Sequence, residues 1–565
     1  MPSYVSGAAT TLVAWAVLSI QFVGLGLLVM RAIGASRHVF LAFWLGLAVT
    51  LAYLQVLSLV LPISPAELLP LVALGLAGWV ANGAPIVARV HGARLRGGRW
   101  PVVLVVGLWA AIYAQAPISL YDAGLYHLSS IRWASAFRVT PGLGNLSPPL
   151  GVNSSVFLYI AASRAGSLPG FHIALGLPIL VLLLELVWIA RLPVGKLGQA
   201  TEARPSAYVA ALLVLPTLVL AGQAGFSTTL YDAPIYLLSI VMATRLLDLP
   251  DRPTRPEALL TVFCIALLGF TAMTVKISIA FFSVACLAVA AAAAIRAAPP
   301  RLAELASILA IVAGLGVVVL GPWLVRNAIL TGYLLYPDPT VGLPFDWSMP
   351  RSAVQDYRDV LYDFARVRGP DYHGASRALG WFTPWLAMSW RDSIAPLFIA
   401  VAAPIAILLV SRERARSIGR HWLLLVPVWL ALILWFVTAP DPRYAGSLLW
   451  LAAAIPVAFW LPSLGPLARV LVLVLFCAAV EMPNGSYLIG LAQVPAGVVT
   501  GQFADLEDPP VEPLWVFTTR SGLQVYVPVE GDQVWDATLP ATPYPDPDLR
   551  LRCPQSLACG FAVVS

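Results

Sequence analysis

Residues 11–30, "TLVAWAVLSIQFVGLGLLVM", are twenty consecutive residues without an ionisable side chain. At a helical rise of about 1.5 Å per residue, such a run is about as long as the hydrocarbon core of a bilayer is thick. Comparable apolar runs recur along most of the 565 residues. The stretch predicts a membrane-spanning helix, and its repetition predicts an all-α polytopic membrane protein.

The composition agrees with this class. Hydrophobic residues make up 59% of the chain and charged residues 11%, whereas a soluble domain carries about 25% charged residues. The formal net charge is +6, but basic residues in polytopic proteins mainly mark cytoplasmic loops. We therefore expect no nucleic-acid partner.

The apolar runs predict about fourteen transmembrane helices. They lie at about 7–30, 39–62, 67–88, 100–115, 171–190, 206–223, 233–248, 259–274, 277–295, 304–324, 394–410, 422–438, 446–463 and 469–484. Residues 153–166, "NSSVFLYIAASRAG", are interpreted as a short surface or re-entrant helix, because a further span there would break the charge alternation described next.

Basic residues cluster in alternate connections, which the positive-inside rule places in the cytoplasm. These are Arg31 and Arg37, the "RVHGARLRGGR" segment, Arg191, Lys196 and Arg204, Arg252 and Arg255, Arg296 and Arg301, the "SRERARSIGR" segment, and Arg469. The N-terminus, the remaining loops and the C-terminal tail then face the outside. We expect a bacterial inner-membrane protein whose conspicuous polar residues are extracytoplasmic.

The predicted domain organisation follows this topology. It comprises three accessory spans in 1–99, seven spans in 100–324 with external loops 116–170 and 223–233, a large external loop in 325–393, four spans in 394–484, and a small external tail in 485–565.

Two features of the tail predict ordered structure. "PLWVFTTRSGLQVYVPV", residues 513–529, alternates as a β-hairpin does, with Ser521 and Gly522 in its turn. Cys553 and Cys559 could form a disulfide if the tail lies in an oxidising compartment. The other three cysteines lie in apolar spans, where we interpret them as small buried side chains.

The strongest candidate for a functional residue is Asp122, in "SLYDAGLYHLSSIRW", residues 119–133. An ionisable side chain at the end of a span is a functional candidate by default. In a regular helix, Asp122 and Tyr126 share a face, whereas His127 points away from them. The alternative is that Asp122 only caps an interfacial helix.

A second acid, Asp232, occurs in the similar sequence "STTLYDAPIY", residues 227–236. Tyr231, Asp232 and Ala233 repeat the order of Tyr121, Asp122 and Ala123. An aspartate before Ala-Pro is also a natural helix cap, and the two interpretations stay open.

Four cations, Arg132, Lys276, Arg326 and Arg443, fall on the same predicted side as both acids. Together they would suit a phosphate or diphosphate head group at the membrane surface. For Lys276 the alternative is snorkelling from the end of a span. Walker A, H-E-x-x-H and CxxC sequences are absent, which gives no support to the chemistries those motifs serve.

Taken together, these residues resemble the GT-C superfamily of membrane glycosyltransferases. The first external loop with Asp122, the short second loop with Asp232, "RNAILTGYLLYP" and the Pro-Arg-Tyr of "PDPRYAG" carry the resemblance, over about residues 100–450. The whole chain also resembles a group of bacterial multi-span membrane proteins that brings no activity with it.

The resemblance implies a seven-helix GT-C-like core and a polyprenyl-phosphate-linked sugar as donor, with an extracytoplasmic acceptor. Asp122 would be the general base and Asp232 a second catalytic acid. The implied substrate-binding residues are Tyr126, His127, Arg132, Lys276, Arg326, Arg443 and Tyr444. Many relatives have a second acidic residue directly beside the acid of the first loop, but in this chain Ala123 and Gly124 follow Asp122. We therefore expect no required cofactor and assign no metal ligand, although a divalent metal stays open.

Three alternatives remain at this stage. A transporter or flippase for a lipid-linked or anionic substrate would use the same cations, but it predicts ionisable residues near span centres. A surface-polysaccharide ligase or polymerase on another fold, or a purely structural protein, would also fit the composition.

Overall fold

The computed structural model describes residues 2–35, 38–83, 100–190, 205–250, 253–297, 302–367, 374, 379–410 and 423–563. Much of the predicted cytoplasmic charge lies outside these residues: Arg37, all of 89–99, Arg191, Lys196, Arg204, Arg252, Arg301 and 411–420. The structure is mostly helical, with two small sheets near the C-terminal end.

The described helices begin and end as follows. They are α1 Pro2–Ala32, α2 Val39–Ser58, α3 Leu69–Asn82, α4 Trp100–Tyr113, α5 Leu128–Ala136, α6 Leu143–Leu146, α7 Ser155–Ala162, α8 Gly176–Ala190, α9 Pro205–Ala224, α10 Asp232–Leu247, α11 Arg255–Val275, α12 Ala280–Ala297, α13 Leu302–Thr331, α14 Arg351–Arg366, α15 Phe382–Ser389, α16 Ala395–Val410, α17 Leu425–Thr438, α18 Pro442–Ala445, α19 Ser447–Trp460 and α20 Pro466–Thr500.

Ten helical segments in the described part of the chain are long and apolar enough to cross a membrane. Three further apolar helices, Pro101–Tyr113, Leu425–Thr438 and Ser447–Trp460, are shorter. A helix coincides with each of the fourteen predicted spans. α7, within the segment interpreted as a surface or re-entrant helix, has only eight residues, all buried.

Close packing of the first three helices depends on glycine. A Cβ added to Gly24 would lie 1.9 Å from the carbonyl oxygen of Gly75, and one added to Gly46 would lie 1.8 Å from that of Phe22. Small residues at such crossings let the helix backbones approach closely. The resulting van der Waals contacts hold the helices together, because the hydrophobic effect does not drive helix association within lipid. α1, α2 and α3 therefore pack as a tight group.

The tail holds two antiparallel strand pairs. β1 (Leu514–Thr518) pairs with β2 (Gln524–Pro528), with Gly522 at a φ of 84° in the turn between them. β3 (Leu549–Leu551) pairs with β4 (Phe561–Val563). The predicted hairpin is confirmed. Cys553 and Cys559 form a disulfide.

Candidate functional site

Two acidic side chains from different loops meet on one arginine. Arg443 Nη1 donates a hydrogen bond to Asp122 Oδ2 at 2.9 Å, and Arg443 Nε lies 3.5 Å from Asp232 Oδ2. Lys276 Nζ donates to Asp232 Oδ1 at 2.5 Å. These four residues, 321 positions apart at the extremes, are called the charge cluster below. It contains two acids and two cations.

Each member of the charge cluster lies at the end of a helix. Asp232 is the first residue of α10, and Lys276 directly follows α11. Arg443 belongs to the one-turn helix α18, whose cap Asp441 accepts a hydrogen bond from the Arg443 backbone N–H at 2.9 Å. Asp122 precedes the helical turn that leads into α5. The structure thus brings together residues that the topology prediction placed on one side of the membrane.

Neither aspartate acts as a side-chain helix cap. Asp122 is in the capping position of its turn but makes no capping hydrogen bond, and Asp232 lies inside α10. The alternative of a merely structural cap therefore has no support for either residue. Both carboxylates bind cations instead.

Aromatic rings surround the cations. Lys276 Nζ lies 3.8 Å from the centre of the Tyr444 ring and 5.1 Å from that of Tyr231, within the range of cation–π attraction. The hydroxyl groups of Tyr231 and Tyr126 are hydrogen-bonded at 2.9 Å. Burial raises the pKa of Tyr444 to about 12, so this phenol stays protonated at neutral pH.

Arg443 remains charged in the cluster. Burial lowers the pKa of Arg443, but Asp232, and with it Asp122, more than offsets this effect, so that the pKa is raised above the ordinary arginine value. Arg443 thus holds both acids, Asp122 through the hydrogen bond from Nη1 and Asp232 through the ion pair at Nε.

The orientation predicted for His127 is wrong. Residues Ala123–His127 form a π-helical turn, in which the Leu128 N–H donates to the Ala123 carbonyl, and this adds a residue to the turn. His127 and Tyr126 are therefore both buried, with ring centres 4.4 Å apart. His127 Nδ1 is hydrogen-bonded to Thr229 Oγ1 at 2.9 Å, which ties the first acidic loop to the second.

The environment of His127 predicts an acid-sensitive stability. Burial lowers its pKa well below the ordinary value, Arg443 and Lys276 lower it further, and Asp232 acts in the opposite direction. The unfolded chain takes up a proton below about pH 6.5 and the folded chain does so only at lower pH, so stability is lost as the pH falls below about 6.5. We expect His127→Asn to lose less thermal stability than the parent between pH 7.5 and 5.5. Equal pH slopes for the two proteins would exclude this role.

Arg132 does not join the charge cluster. Its Nη1 donates to the Asp536 carbonyl at 2.6 Å and lies 3.0 Å from the Asp536 carboxylate. Both side chains are partly exposed, so the ion pair itself adds little stability. The predicted phosphate-binding role of Arg132 needs a free cation, and here a tail residue 404 positions away holds it. Arg326 also lies elsewhere, in a cavity described below.

The tail binds the loop that carries Asp122. The backbone N–H groups of Val534 and Trp535 both donate to the Gly124 carbonyl, at 2.8 and 2.9 Å. Trp535 has a φ of 45°, which is rare for a bulky residue and is held here by these contacts. Tyr121 is hydrogen-bonded to Asp532. We call residues 532–536 the tail clasp.

Gly124 allows the clasp to close, and this can be tested. A Cβ added to Gly124 would lie 2.8 Å from the Trp535 ring and 3.0 Å from Gln533 Cβ. We expect Gly124→Ala to destabilise the protein by about 1–3 kcal/mol, the usual penalty of overpacking. Thermal unfolding of the single variant and of Gly124→Ala/Trp535→Ala would check it. If Gly124→Ala/Trp535→Ala is no more stable than Gly124→Ala alone, the steric explanation is wrong.

Several residues of the site were not predicted from the sequence. Thr229 and Tyr231 precede Asp232 by three positions and one, and Asp441 precedes Arg443 by two, so proximity to the predicted residues was their only signal. Tyr357 in α14 is half-buried; burial raises its pKa, and Tyr444 and Asp122 add to this. The tail clasp had no recognisable signal at all.

No group of three or more His, Cys, Asp or Glu side chains suited to a metal occurs among the described residues. The two acids of the charge cluster both bind cations, which leaves few free oxygens for a metal ion.

Comparison with known proteins gives one match. A family model described as a domain of unknown function, DUF8201, matches residues 9–450. That range contains the whole charge cluster, whereas the tail clasp lies beyond it. No curated protein and no solved structure matches the chain.

Proposed function

The chain belongs to the DUF8201 family, and we propose that it is an integral membrane glycosyltransferase. It would transfer a sugar from a polyprenyl-phosphate carrier to a cell-envelope glycan, lipid or protein outside the cytoplasm, in the bacterial inner membrane. The observation that carries the proposal is the convergence of two loop acids, Asp122 and Asp232, on Arg443 beside Lys276. A GT-C-like core with the domain limits given above is part of the same proposal.

The chemistry needs a base, an electrophile and a stabilised leaving group. The Asp122 carboxylate would take the proton of an acceptor hydroxyl while the acceptor oxygen bonds to the anomeric carbon. The bond between that carbon and the phosphate oxygen breaks, and its electron pair leaves with the carrier phosphate. Arg443 and Lys276 would stabilise the growing phosphate charge. No cofactor is required.

The ion pair between Arg443 and Asp122 suits such a sequence of events. Arg443 Nη1 holds the Asp122 carboxylate at 2.9 Å. A bound phosphate would compete with that carboxylate for the guanidinium. Asp122 would then be released to face the acceptor hydroxyl. Tyr126, Tyr444 and Tyr231 would supply apolar walls and hydroxyl groups to the sugar.

The test is transfer by purified protein in liposomes. A total lipid extract supplies polyprenyl-phosphate donors carrying radiolabelled sugar, and an envelope glycan or lipid fraction serves as acceptor. The proposal expects label in the acceptor and release of undecorated carrier phosphate in equal amounts. Protein that binds donors but never releases carrier phosphate from any of them would overturn it.

A transporter or flippase is the second candidate, because one carboxyl group lies inside the bundle. Glu185 of α8 is buried and accepts a hydrogen bond from Trp44 Nε1 at 2.6 Å. Intramembrane acids often mark transport pathways. If the protein is a transporter or flippase, the label crosses the bilayer in the liposome assay while it is still attached to its carrier. A glycosyltransferase would instead move the label to the acceptor.

A further inference from the structure

A cavity lies beside Phe157, apart from the charge cluster. It is partly open to solvent, and the volume inside it that the centres of water-sized molecules can occupy is about 30 Å³. The Phe157 ring lines this cavity and also contacts the rings of Tyr126, His127 and Tyr231. The residues of the charge cluster do not line it. The cavity is therefore a separate space.

The cavity contains a buried arginine without a counterion. Arg326, near the end of the membrane helix α13, is 7% exposed. Its Nε and Nη1 atoms have no hydrogen-bond partner, and it forms no ion pair with any residue that the structure describes. Burying a cation in this way costs several kcal/mol unless an anion offsets it.

Two further donors in the same cavity lack partners. Ser130 Oγ and Trp133 Nε1 are buried and unbonded in the described structure. Both belong to α5 and line the cavity together with Arg326. Unpartnered buried donors are rare, because each loses its hydrogen bonds to water without replacement. No acidic side chain occurs among the described residues that line the cavity, so the three donors point to a missing acceptor that carries negative charge.

The position of the cavity indicates how an anion would enter. Arg326 lies five residues before the end of α13, so the cavity is near one membrane face. The exposed Arg138 also lines it and adds a second positive charge. Apolar residues such as Phe137, Leu143 and Leu330 form much of the remaining wall. A charged group attached to an acyl chain, or a small free anion, fits these surroundings.

We propose that this cavity is a second anion site, which binds one phosphate group through Arg326, Ser130 and Trp133. The phosphate comes from a phospholipid head group or from free phosphate, and the chemistry of recognition is the same for both. The site is distinct from the charge cluster and does not rest on glycosyl transfer. Under this proposal Arg326 binds a phosphate of its own, rather than joining Arg443 and Lys276 on a single head group.

Binding to the delipidated full chain in a maltoside detergent tests the site. The probes are inorganic phosphate, short-chain phosphatidylglycerol, and short-chain diacylglycerol as the phosphate-free control. Thermal unfolding reports stabilisation, and native mass spectrometry reports bound lipid. Arg326→Met removes the charge at similar length, and Arg520→Met changes an exposed arginine of the tail as the matched control.

We expect one phosphate-bearing probe to stabilise the parent and Arg520→Met, and to bind Arg326→Met at least tenfold more weakly. Stabilisation by inorganic phosphate identifies a soluble ligand, and stabilisation by phosphatidylglycerol alone identifies a lipid. If Arg326→Met does not fold, Ser130→Ala and Trp133→Phe serve instead, each expected to weaken binding about threefold or more. No stabilisation by either phosphate probe, or equal binding by parent and variants, overturns the proposal.

Discussion

Replacing Asp122 with asparagine is expected to lower sugar transfer by about 10²- to 10⁴-fold, the usual contribution of a general base. The amide keeps the size of the side chain and still accepts a hydrogen bond from Arg443 Nη1, so the loop should keep its place. Initial rates in the liposome assay measure the effect, at protein levels matched by immunoblot.

Asp505→Asn is the control for Asp122→Asn, because Asp505 is exposed in the segment before the tail sheets. We expect it to leave transfer unchanged. If Asp122→Asn transfers sugar at the parental rate, Asp122 is not the base and the proposed mechanism fails.

The second large effect is expected for Arg443→Gln. This change removes the cation shared by Asp122 and Asp232 and leaves Lys276 as the remaining partner of Asp232. Loss of one preorganised group that stabilises transition-state charge lowers rates by about 10²- to 10³-fold. Two carboxylates without their common counterion also repel each other, so the yield of folded protein should fall.

A double variant separates these two effects. Asp122→Asn/Arg443→Gln removes one charge of each sign, and we expect it to recover folded yield but not transfer. Arg443→Lys should keep only part of the activity. The ammonium group keeps the positive charge, but it cannot bind two carboxylates at once as the planar guanidinium does. Parental transfer by folded Arg443→Gln would show that Arg443 only organises the loops.

The sequence alone determined the class of protein and the membership of most of the site. Long uncharged runs require a membrane, because only a bilayer can solvate so much apolar surface. The alternation of basic loops predicted that Asp122, Asp232, Lys276 and Arg443 lie on one side of that membrane, and the structure brings those four together. The hairpin around Gly522 was also predictable, because alternation and turn chemistry are local.

Tertiary structure alone decided which partners these charges have. Arg132 and Arg326 have the same residue type and predicted side as Arg443, yet Arg132 pairs with Asp536 and Arg326 faces a separate cavity. Periodicity assumes a regular helix, and the π-helical turn at Ala123–His127 moved His127 to the buried side. Whether a carbonyl accepts its hydrogen bond four or five residues along is settled by packing against neighbouring segments. Such contacts join positions hundreds of residues apart, and no local pattern carries them.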